Sequence, residues 1–219
     1  MSSVFQNMRW KIAQSAEKIW WQRYLQNKSP EQYLAWKRNY WQENVLQKLP
    51  EVLFITSETR ILDAGCGPAG IFMALPQAKV TAIDPLLESY KNLPHFIPNQ
   101  YPNVHFEAQT IEGFRSEQQF DVVFCLNVIN HVKNIHQSLA NLAALSKKWW
   151  VMSIDAHNYS LYQKIFSLLP GDILHPHQYS LENYKNFMQQ RGFTLYPPIL
   201  LQKNHIFNYY LLVGERAEL

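Results

Sequence analysis

Apolar side chains recur at helical spacing in the first part of the chain. Between residues 4 and 26 they return every three or four positions, which predicts a helix with one apolar face. That face comprises Phe5, Met8, Ile12, Ala16, Ile19 and Trp20. A second stripe, made of aromatic rings, lies beside it and comprises Trp10, Trp21 and Tyr24.

A second helix is predicted directly after the first. Ser29 is a suitable N-cap, Pro30 suits the first helical position, and Gln32 can reach back to the cap. We expect this helix to run to about Lys48. Its core face comprises Leu34, Trp41, Val45 and Leu49, and its aromatic face comprises Tyr33, Trp36 and Tyr40.

Two interpretations of these N-terminal helices stay open. The apolar faces can pack on the rest of the domain, or on a second copy of the chain in a homodimer. Alternatively, residues 1–50 form a lid whose aromatic stripe closes over a substrate. In that case Trp21, Trp36 and Tyr40 are the expected substrate contacts.

From residue 60 onward the pattern changes to apolar runs typical of buried strands. These runs span residues 60–64, 79–85, 104–108, 120–125 and 149–155. They alternate with helical or turn-rich segments, among them helices predicted from about Ala69 to Gln77 and from Ile135 to Ser146. Such repeating units predict a parallel sheet that is covered by helices on both faces.

The end of the chain follows a different pattern. Helices are predicted at residues 158–169 and 180–191, and Gly192 is the expected C′ residue of the second. Strands at 193–201 and 206–213 are joined by four residues, too few for a crossover, so this pair must be antiparallel. The predicted fold class is therefore a doubly wound α/β fold with a mostly parallel, seven-stranded, Rossmann-like sheet and an antiparallel last strand pair.

No internal repeat or linker divides the chain, so we expect a single domain over residues 1–219. Its first part, residues 1–50, is the helical lid or cap. Residues 51–155 form the cofactor-binding core, and residues 156–219 supply helices on the substrate side and the terminal strands.

Composition narrows the classes of function. The chain is 47% hydrophobic and 17% charged, which excludes a disordered protein, and its net charge of +3 is too small for a nucleic-acid footprint. Its two cysteines, Cys66 and Cys125, lie in apolar strand contexts, as is usual in a reducing cytoplasm. No apolar run has membrane-spanning length. We therefore expect a cytoplasmic protein with neither nucleic acid nor a membrane as its partner.

A glycine-rich turn follows the first predicted strand. Asp63 ends that strand, and Gly65, Gly67 and Gly70 match the spacing of the dinucleotide fingerprint, so an NAD(P) or flavin cofactor must be considered. However, a carboxylate just before the first glycine would repel a pyrophosphate, and a dinucleotide fold does not need the antiparallel tail. Asp84, which ends the second strand, can accept two vicinal ribose hydroxyls.

Three segments together resemble motifs of the class I S-adenosylmethionine-dependent methyltransferases of the small-molecule type. Residues 61–68 (Ile-Leu-Asp-Ala-Gly-Cys-Gly-Pro) resemble the first motif, residues 80–84 the second, and residues 120–132 the fourth-strand motif. The resemblance covers residues 55–155 and implies S-adenosylmethionine as cofactor and S-adenosylhomocysteine as product. The cofactor-binding residues that it implies are Asp63, Gly65, Cys66, Gly67, Asp84, Pro85, Gln109, Thr110, Ile111 and Asn127.

Two of these assignments have alternatives. Asp63 can attract the positive end of the cofactor, directly or through water, or it can simply cap the turn. After the third strand the family usually places an acid at the adenine. Here Gln109 stands in that place and could accept the bond through its carbonyl, with Thr110 and Ile111 framing the ring. Glu112 is the alternative in a shifted register.

We expect the methyl acceptor to bind beyond the carboxyl ends of the strands, where such folds bind their ligands. His131 and His157 follow strands there and are the catalytic candidates, because histidine titrates near neutrality and can take a proton. His175 and His177 lie in a stretch similar to one in small-molecule members and are substrate-binding candidates. A metal site built from three of these histidines and Asp155 is an alternative, but His-x-His spacing supports it poorly, so no metal is predicted.

The Asn-Pro-Pro-aromatic motif of nucleic-acid amino-methyltransferases does not follow the fourth predicted strand. The sequence thus predicts methyl transfer from S-adenosylmethionine to a small molecule, assisted by a histidine. The alternatives are a relative that uses the cofactor for other chemistry or for binding only, an NAD(P)-dependent oxidoreductase, and a structural subunit that docks through its N-terminal helices.

Overall fold

A computed structural model describes residues 3–157, 179–204 and 207–217, with all their side chains except those of residues 3–7, 9 and 157. The predicted helix at 158–169 lies outside the described residues, and so do His175 and His177. The statements below concern the described part of the chain.

The described strands form one sheet in the order β3-β2-β1-β4-β5-β8-β6, and β7 also pairs with β8. Strands β1 to β5 pair in parallel, and β8 runs antiparallel to β5, β6 and β7. The strand bounds are β1 Arg60–Ala64, β2 Lys79–Ile83, β3 Val104–Glu107, β4 Phe120–Cys125, β5 Ser146–His157, β6 Phe193–Leu195, β7 Ile199–Lys203 and β8 Phe207–Arg216. The predicted mostly parallel α/β sheet with an antiparallel end is confirmed.

The helices cover both faces of this sheet. Their bounds are α1 Ser3–Leu25, α2 Pro30–Asn44, α3 Leu87–Tyr90, α4 Ile135–Leu145 and α5 Leu181–Gln189. Short 3₁₀ turns occur at Leu46–Lys48, Ile71–Ala74, Pro98–Gln100 and Ile129–His131. Gly192 follows α5 with φ +84°, one residue beyond the predicted C′ position, because α5 ends at Gln189 and Gln190 is its C-cap.

Three local predictions were wrong in detail. The predicted strand at 193–201 is two strands, because Pro197 and Pro198 interrupt it and proline has no N–H for the ladder. The helix predicted from Ala69 is only a 3₁₀ turn, and Pro76 follows it closely. Ser29 is the N-cap of α2, but its side chain makes no capping hydrogen bond.

Apolar residues of the central strands alternate between two cores. On one face Ile61, Val122 and Val151 pack with Trp41 of α2 and with Val45, which follows that helix, and both are buried there. On the other face the strands pack with α4 and α5, through Leu62, Val123, Trp150, Leu139, Leu142, Tyr184 and Met188. Burial on both faces explains why these strands are continuously apolar in sequence.

One interpretation of α1, in which its apolar face packs on the rest of the domain, is contradicted. That face is open to solvent, with exposed fractions of 52% for Met8, 50% for Ile12, 46% for Ile19 and 48% for Trp20. The opposite face, which carries Trp21, is turned toward the protein instead. Helical periodicity predicts that a helix has two unlike faces, but it does not predict which face another element will cover.

We predict that Trp41→Phe lowers the free energy of unfolding by about 2 kcal/mol. The buried Trp41 Nε1–H donates to the carbonyl oxygen of Ala69 at 3.0 Å, and phenylalanine would leave that carbonyl without its partner. Urea denaturation measures the effect. Trp36→Phe is the control on the same helix, because Trp36 is 51% exposed, and we expect a change within about 0.5 kcal/mol. Equal losses in the two variants would contradict the role of the hydrogen bond.

Candidate active site

The turn after β1 packs between the end of β2 and the loop after β4. The backbone N–H groups of Gly65 and Cys66 both donate to the carbonyl oxygen of Ile83, at 2.8 and 3.0 Å. Gly65 has φ +76°, and a Cβ added there would lie 2.3 Å from Cγ2 of Val128. Any larger residue would therefore be strained and would collide with the loop after β4. Because Gly65 and Gly67 have no side chains, the backbone of this turn is open to the cavity at the carboxyl edge of the sheet.

Asp63 lies beneath this turn and is 2% exposed. Its carboxylate accepts the backbone N–H of Phe72 at 3.1 Å. Gly70 makes this approach possible, because a Cβ there would lie 2.3 Å from Oδ2 of Asp63. Burial raises the pKa of Asp63 to about 7, although the backbone bond opposes the shift. Asp63 thus caps the turn, and it does not belong to the described lining of the main cavity.

Asp84 follows β2 and is 5% exposed. Its two carboxylate oxygens accept the N–H groups of Gly67, at 3.0 Å, and of Leu86, at 2.8 Å. Burial raises the pKa of Asp84 to about 6, and these backbone bonds oppose the shift. Asp84 faces both cavities at this edge, and its oxygens keep lone pairs that can accept ligand hydroxyls.

A cavity of about 400 Å³ opens over the turn. Helices α1 and α2 supply an aromatic wall, and the loops after β1, β2 and β4 supply the floor. The structure brings most of the predicted residues together here: Trp21, Trp36, Gly65, Cys66, Gly67, Asp84, Asn127 and His131. Cys66 is buried, and this raises the pKa of its thiol well above the ordinary value, so it is not a thiolate nucleophile.

A second, narrow cavity of about 30 Å³ lies beside the first, under α1. Its lining includes the predicted adenine-side residues Pro85, Thr110 and Ile111. Gln109 is exposed and does not belong to the described lining, whereas Glu112, the alternative in a shifted register, does. Oε1 of Glu112 also accepts the N–H of Asn134 at 2.9 Å. The placement therefore favours Glu112 over Gln109.

Lys37 is a charged residue in the main cavity that was not predicted from the sequence. Its ammonium lies 4.2 Å from the ring centre of Trp41 and 4.7 Å from that of Tyr40. Burial lowers the pKa of Lys37 to about 8, and the charge of Asp63 partly opposes this. The residue could have been found, because it lies four positions from both Tyr33 and Trp41 on a face predicted to be aromatic or buried.

Glu17 of α1 faces both cavities and was likewise not predicted from the sequence. Burial first, and the charge of Asp84 second, raise the pKa of Glu17 to about 7. Glu17 is the sole acidic residue in the first thirty positions and falls on the face of Trp10 and Trp21, which could have drawn attention to it. The carboxylates of Glu17, Asp84 and Glu112 therefore face these two cavities, and that of Asp63 lies below the turn, with Lys37 as the cation nearby.

A polar chain connects the loop after β4 with β5 and β8. Asn127 has φ +58°, which is unusual for a residue other than glycine, and its N–H donates to Oγ of Ser153 at 2.8 Å. Ser153 Oγ donates back to Oδ1 of Asn127 at 3.2 Å, and the Tyr209 hydroxyl donates to Ser153 at 2.8 Å. Tyr40 lies close enough to Tyr209 for each to affect the pKa of the other. This chain borders a cavity of about 120 Å³.

The predicted histidines are only partly described. His131 is half-buried and lines all three cavities, so its predicted position beside a ligand agrees with the geometry. His157 is the last residue of β5, and its side chain lies outside the description. His175 and His177 lie outside the described residues altogether. Within the described ranges no group of three metal-ligating side chains occurs, so the four-residue metal alternative stays untested.

Most of the residues that line the cavities lie in a part of the chain that matches a known protein family. A family model described as a methyltransferase domain matches residues 33–197, well over half of the chain. This chain belongs to that methyltransferase family. The predicted membership in the class I S-adenosylmethionine-dependent methyltransferases is confirmed. None of the described helices of this methyltransferase combines the length and apolar content needed to cross a bilayer.

Curated relatives match this methyltransferase over part of their length. The ubiquinone biosynthesis O-methyltransferase of Rickettsia canadensis is 30% identical over 152 residues, which are 67% of this chain and 64% of that protein. Its counterpart in Rickettsia felis is 36% identical over 104 residues, 46% of this chain and 42% of that protein. The chain therefore spans less than two thirds of either relative.

A solved structure shares the fold of this methyltransferase at low sequence identity. The magnesium protoporphyrin IX methyltransferase of Synechocystis, crystallised with bound S-adenosylhomocysteine, aligns with a TM-score of 0.58 and 18% identity. The alignment covers 85% of this chain and 83% of that one. At this identity the likeness is one of fold.

We predict that the buried carboxylate of Asp63 makes the ligand-free protein less stable as pH rises. Its pKa is raised from 3.8 to about 7 on folding, so its stabilising contribution is complete below about pH 4 and is lost as pH rises through 7. Asp63→Asn cannot ionise but can still accept the Phe72 N–H.

Urea denaturation of both proteins at several pH values measures this effect. The wild type should lose on the order of 3 kcal/mol relative to Asp63→Asn between pH 4 and pH 7. Titrating groups distant from the turn affect both proteins alike, so the difference reports Asp63 together with Asp84 and Lys37, whose charges couple to it. Parallel stability curves for the two proteins over this range would contradict the prediction.

Proposed function

We propose that this protein transfers a methyl group from S-adenosylmethionine to a small-molecule acceptor. The observation that carries the proposal is the continuity of the main cavity. It joins the bare glycine turn and Asp84 to a wall of aromatic rings in one space of about 400 Å³. That volume is in the usual range for a small-ligand site. One cavity therefore offers a nucleoside site and room for an acceptor side by side.

The residues present suit the donor, whose sulfonium supplies the methyl group when bound. Asp84 is placed to accept the ribose hydroxyls, and Thr110, Ile111 and Glu112 border the adenine side. Lys37 is placed to pair with a carboxylate. Glu17 and Asp63 favour a positively charged ligand nearby, because burial raises both of their pKa values in the ligand-free state.

For the acceptor we propose a hydroxyl group on a partly apolar molecule. Rings of Trp21 and Trp36 line the cavity and suit an apolar or aromatic body. The chain formed by Asn127, Ser153 and Tyr209 suits a hydroxyl, since it offers both donors and acceptors. The curated relatives are called O-methyltransferases, which supports the same assignment.

We further propose that His131 takes the proton from this hydroxyl. It lines both the main cavity and the polar one, so it lies between the donor side and the acceptor side. The protein positions the acceptor and excludes water, while the base makes the oxygen nucleophilic. Residues 1–50 act in this proposal as the lid over the cavity.

We predict that S-adenosylmethionine and S-adenosylhomocysteine bind the protein and that Lys37→Met weakens both by roughly tenfold or more, because a charged partner of the ligand carboxylate is lost. Calorimetric titration measures the affinities. Arg38→Met is the matched control on the next residue, since Arg38 is exposed and donates to the Met73 carbonyl. Binding of NADPH in place of both ligands would overturn the donor assignment.

We predict that His131→Asn lowers kcat roughly 100-fold, as expected for loss of a general base, with cofactor affinity changed by less than about threefold. Activity is followed by mass spectrometry as an acceptor product heavier by one CH2. The wild type should also lose activity toward acid pH, and the variant should not.

The matched control is His136→Asn, because His136 is exposed at the start of α4 and packs against Phe187 outside the cavities. Equal losses in both histidine variants would contradict a role for His131 as base. Cofactor binding without any methylated product across phenolic and other hydroxyl acceptors would favour the alternative of a relative that only binds the cofactor.

A further inference from the structure

Helix α1 presents an apolar stripe to solvent along its outer face. Projected down the axis at 100° per residue, Met8, Ile12 and Ile19 fall within about 40° of one another. Their exposed fractions are 52%, 50% and 46%. The described residues of the protein leave this stripe uncovered, even though it is the most regular apolar pattern of the N-terminal segment.

The same helix uses its other face at the active site. Trp10, Gln14, Glu17 and Trp21 line the two cavities, and they project from the side of α1 opposite Ile12. The outer stripe is therefore not needed to hold α1 on the domain. It is available to a partner while the inner face is engaged.

The charge around the stripe is basic. Lys11 and Lys18 are exposed on one flank of it, and Arg23 is exposed at its C-terminal end. Between residues 8 and 28 the sequence has five basic residues and one acid, Glu17. That acid faces the cavities, so the described outer surface of α1 combines apolar side chains with positive charge alone.

The stripe continues into the mouth of the main cavity. Trp20 is 48% exposed and also lines the cavity, and its ring stacks on that of Tyr24 with centroids 4.8 Å apart. Tyr24 and Trp36 are likewise exposed members of the lining, at 37% and 51%. Tryptophan and tyrosine are the side chains that favour the boundary between water and lipid.

We propose that the outer face of α1 binds an anionic lipid bilayer surface. An apolar stripe flanked by lysine and arginine is the pattern of helices that lie in the interface plane of a membrane. A second copy of the chain fits less well, because a symmetric contact would bring Lys11 and Lys18 toward the same charges of the copy. The prediction of no membrane partner rested on the lack of a spanning segment, which an interfacial helix does not need.

For the acceptor, this inference deepens the proposed function and rests on it. A bilayer in contact with α1 would lie against the rings of Trp20, Tyr24 and Trp36 at the cavity mouth. An acceptor with an apolar body could then enter from the lipid, so the substrate class is a membrane-dissolved amphiphile that carries a hydroxyl.

Co-sedimentation with vesicles tests the surface independently of catalysis. The full-length protein should bind phosphatidylcholine vesicles that contain phosphatidylglycerol, and should bind pure phosphatidylcholine much less. Ile12→Ser with Ile19→Ser should weaken binding roughly tenfold or more, because two apolar side chains no longer enter the lipid. Lys11→Glu with Lys18→Glu should weaken it by roughly tenfold at low salt and less at high salt.

Phe54→Ser is the matched control, because Phe54 is 77% exposed in the loop that leads to the amino end of β1, whereas α1 lies over the carboxyl ends. This variant should bind vesicles like the wild type. Calorimetric titration with S-adenosylmethionine, repeated for each variant, shows whether the fold and the cofactor site are intact. Vesicle binding without cofactor binding would overturn the proposed function and leave the surface assignment standing.

Three results would overturn the surface assignment. The first is a lack of binding to anionic vesicles at low salt by a protein that binds the cofactor. The second is binding that the serine and glutamate variants do not weaken. The third is a dimer, detected by light scattering, that the Ile12→Ser and Ile19→Ser substitutions dissociate, since this would make a second copy the occupant of the stripe.

Discussion

Two hydrogen bonds to one carbonyl oxygen, that of Ile83, hold the turn on which the site depends. The donors are the N–H groups of Gly65 and Cys66. Because Ile83 ends β2, the turn after β1 is fixed to the neighbouring strand as well as to its own. Asp84 comes next in the chain and accepts the N–H of Gly67, so the glycine turn and the carboxylate form one unit. Their relative positions are set by the parallel register of two buried strands.

Around this unit lie buried carboxyl groups whose ionised forms a positively charged ligand would stabilise. The charge of Asp84 affects both Asp63 and Glu17, and burial raises the pKa of all three carboxyl groups. Lys37 opposes this only in part, because its own burial lowers its pKa. Titratable groups with shifted pKa values are common at functional sites, because a bound partner of opposite charge stabilises their ionised form. A ligand with a positive centre and one carboxylate matches the arrangement.

Much of the sheet was predictable because its strands are local features of the sequence. The bounds of β1 and β4 agree with continuous apolar runs, which are expected when both faces of a strand are buried. The outer face of α1 was not predictable, because its periodicity is the same whether the apolar side meets a core, a membrane or solvent. The adenine side also depended on register, since Gln109 and Glu112 lie three residues apart and only packing decides which one borders the cavity.

The sequence by itself determined the parallel sheet with its antiparallel end, the glycine turn and the two strand-end acids, because strands, tight turns and their flanking residues follow from neighbours in the chain. Only the tertiary structure decided that Lys37 of α2 and Glu17 of α1 line one cavity and that Tyr209 of β8 lines a neighbouring one, which shares Asn127 and His131 with it. These residues are far apart in sequence, and side chains from distant segments share a cavity only when the elements that carry them pack together. For that reason local motifs predicted the methyl donor, whereas the polar residues proposed for the acceptor, Ser153 and Tyr209, were found only from the packing of the described residues.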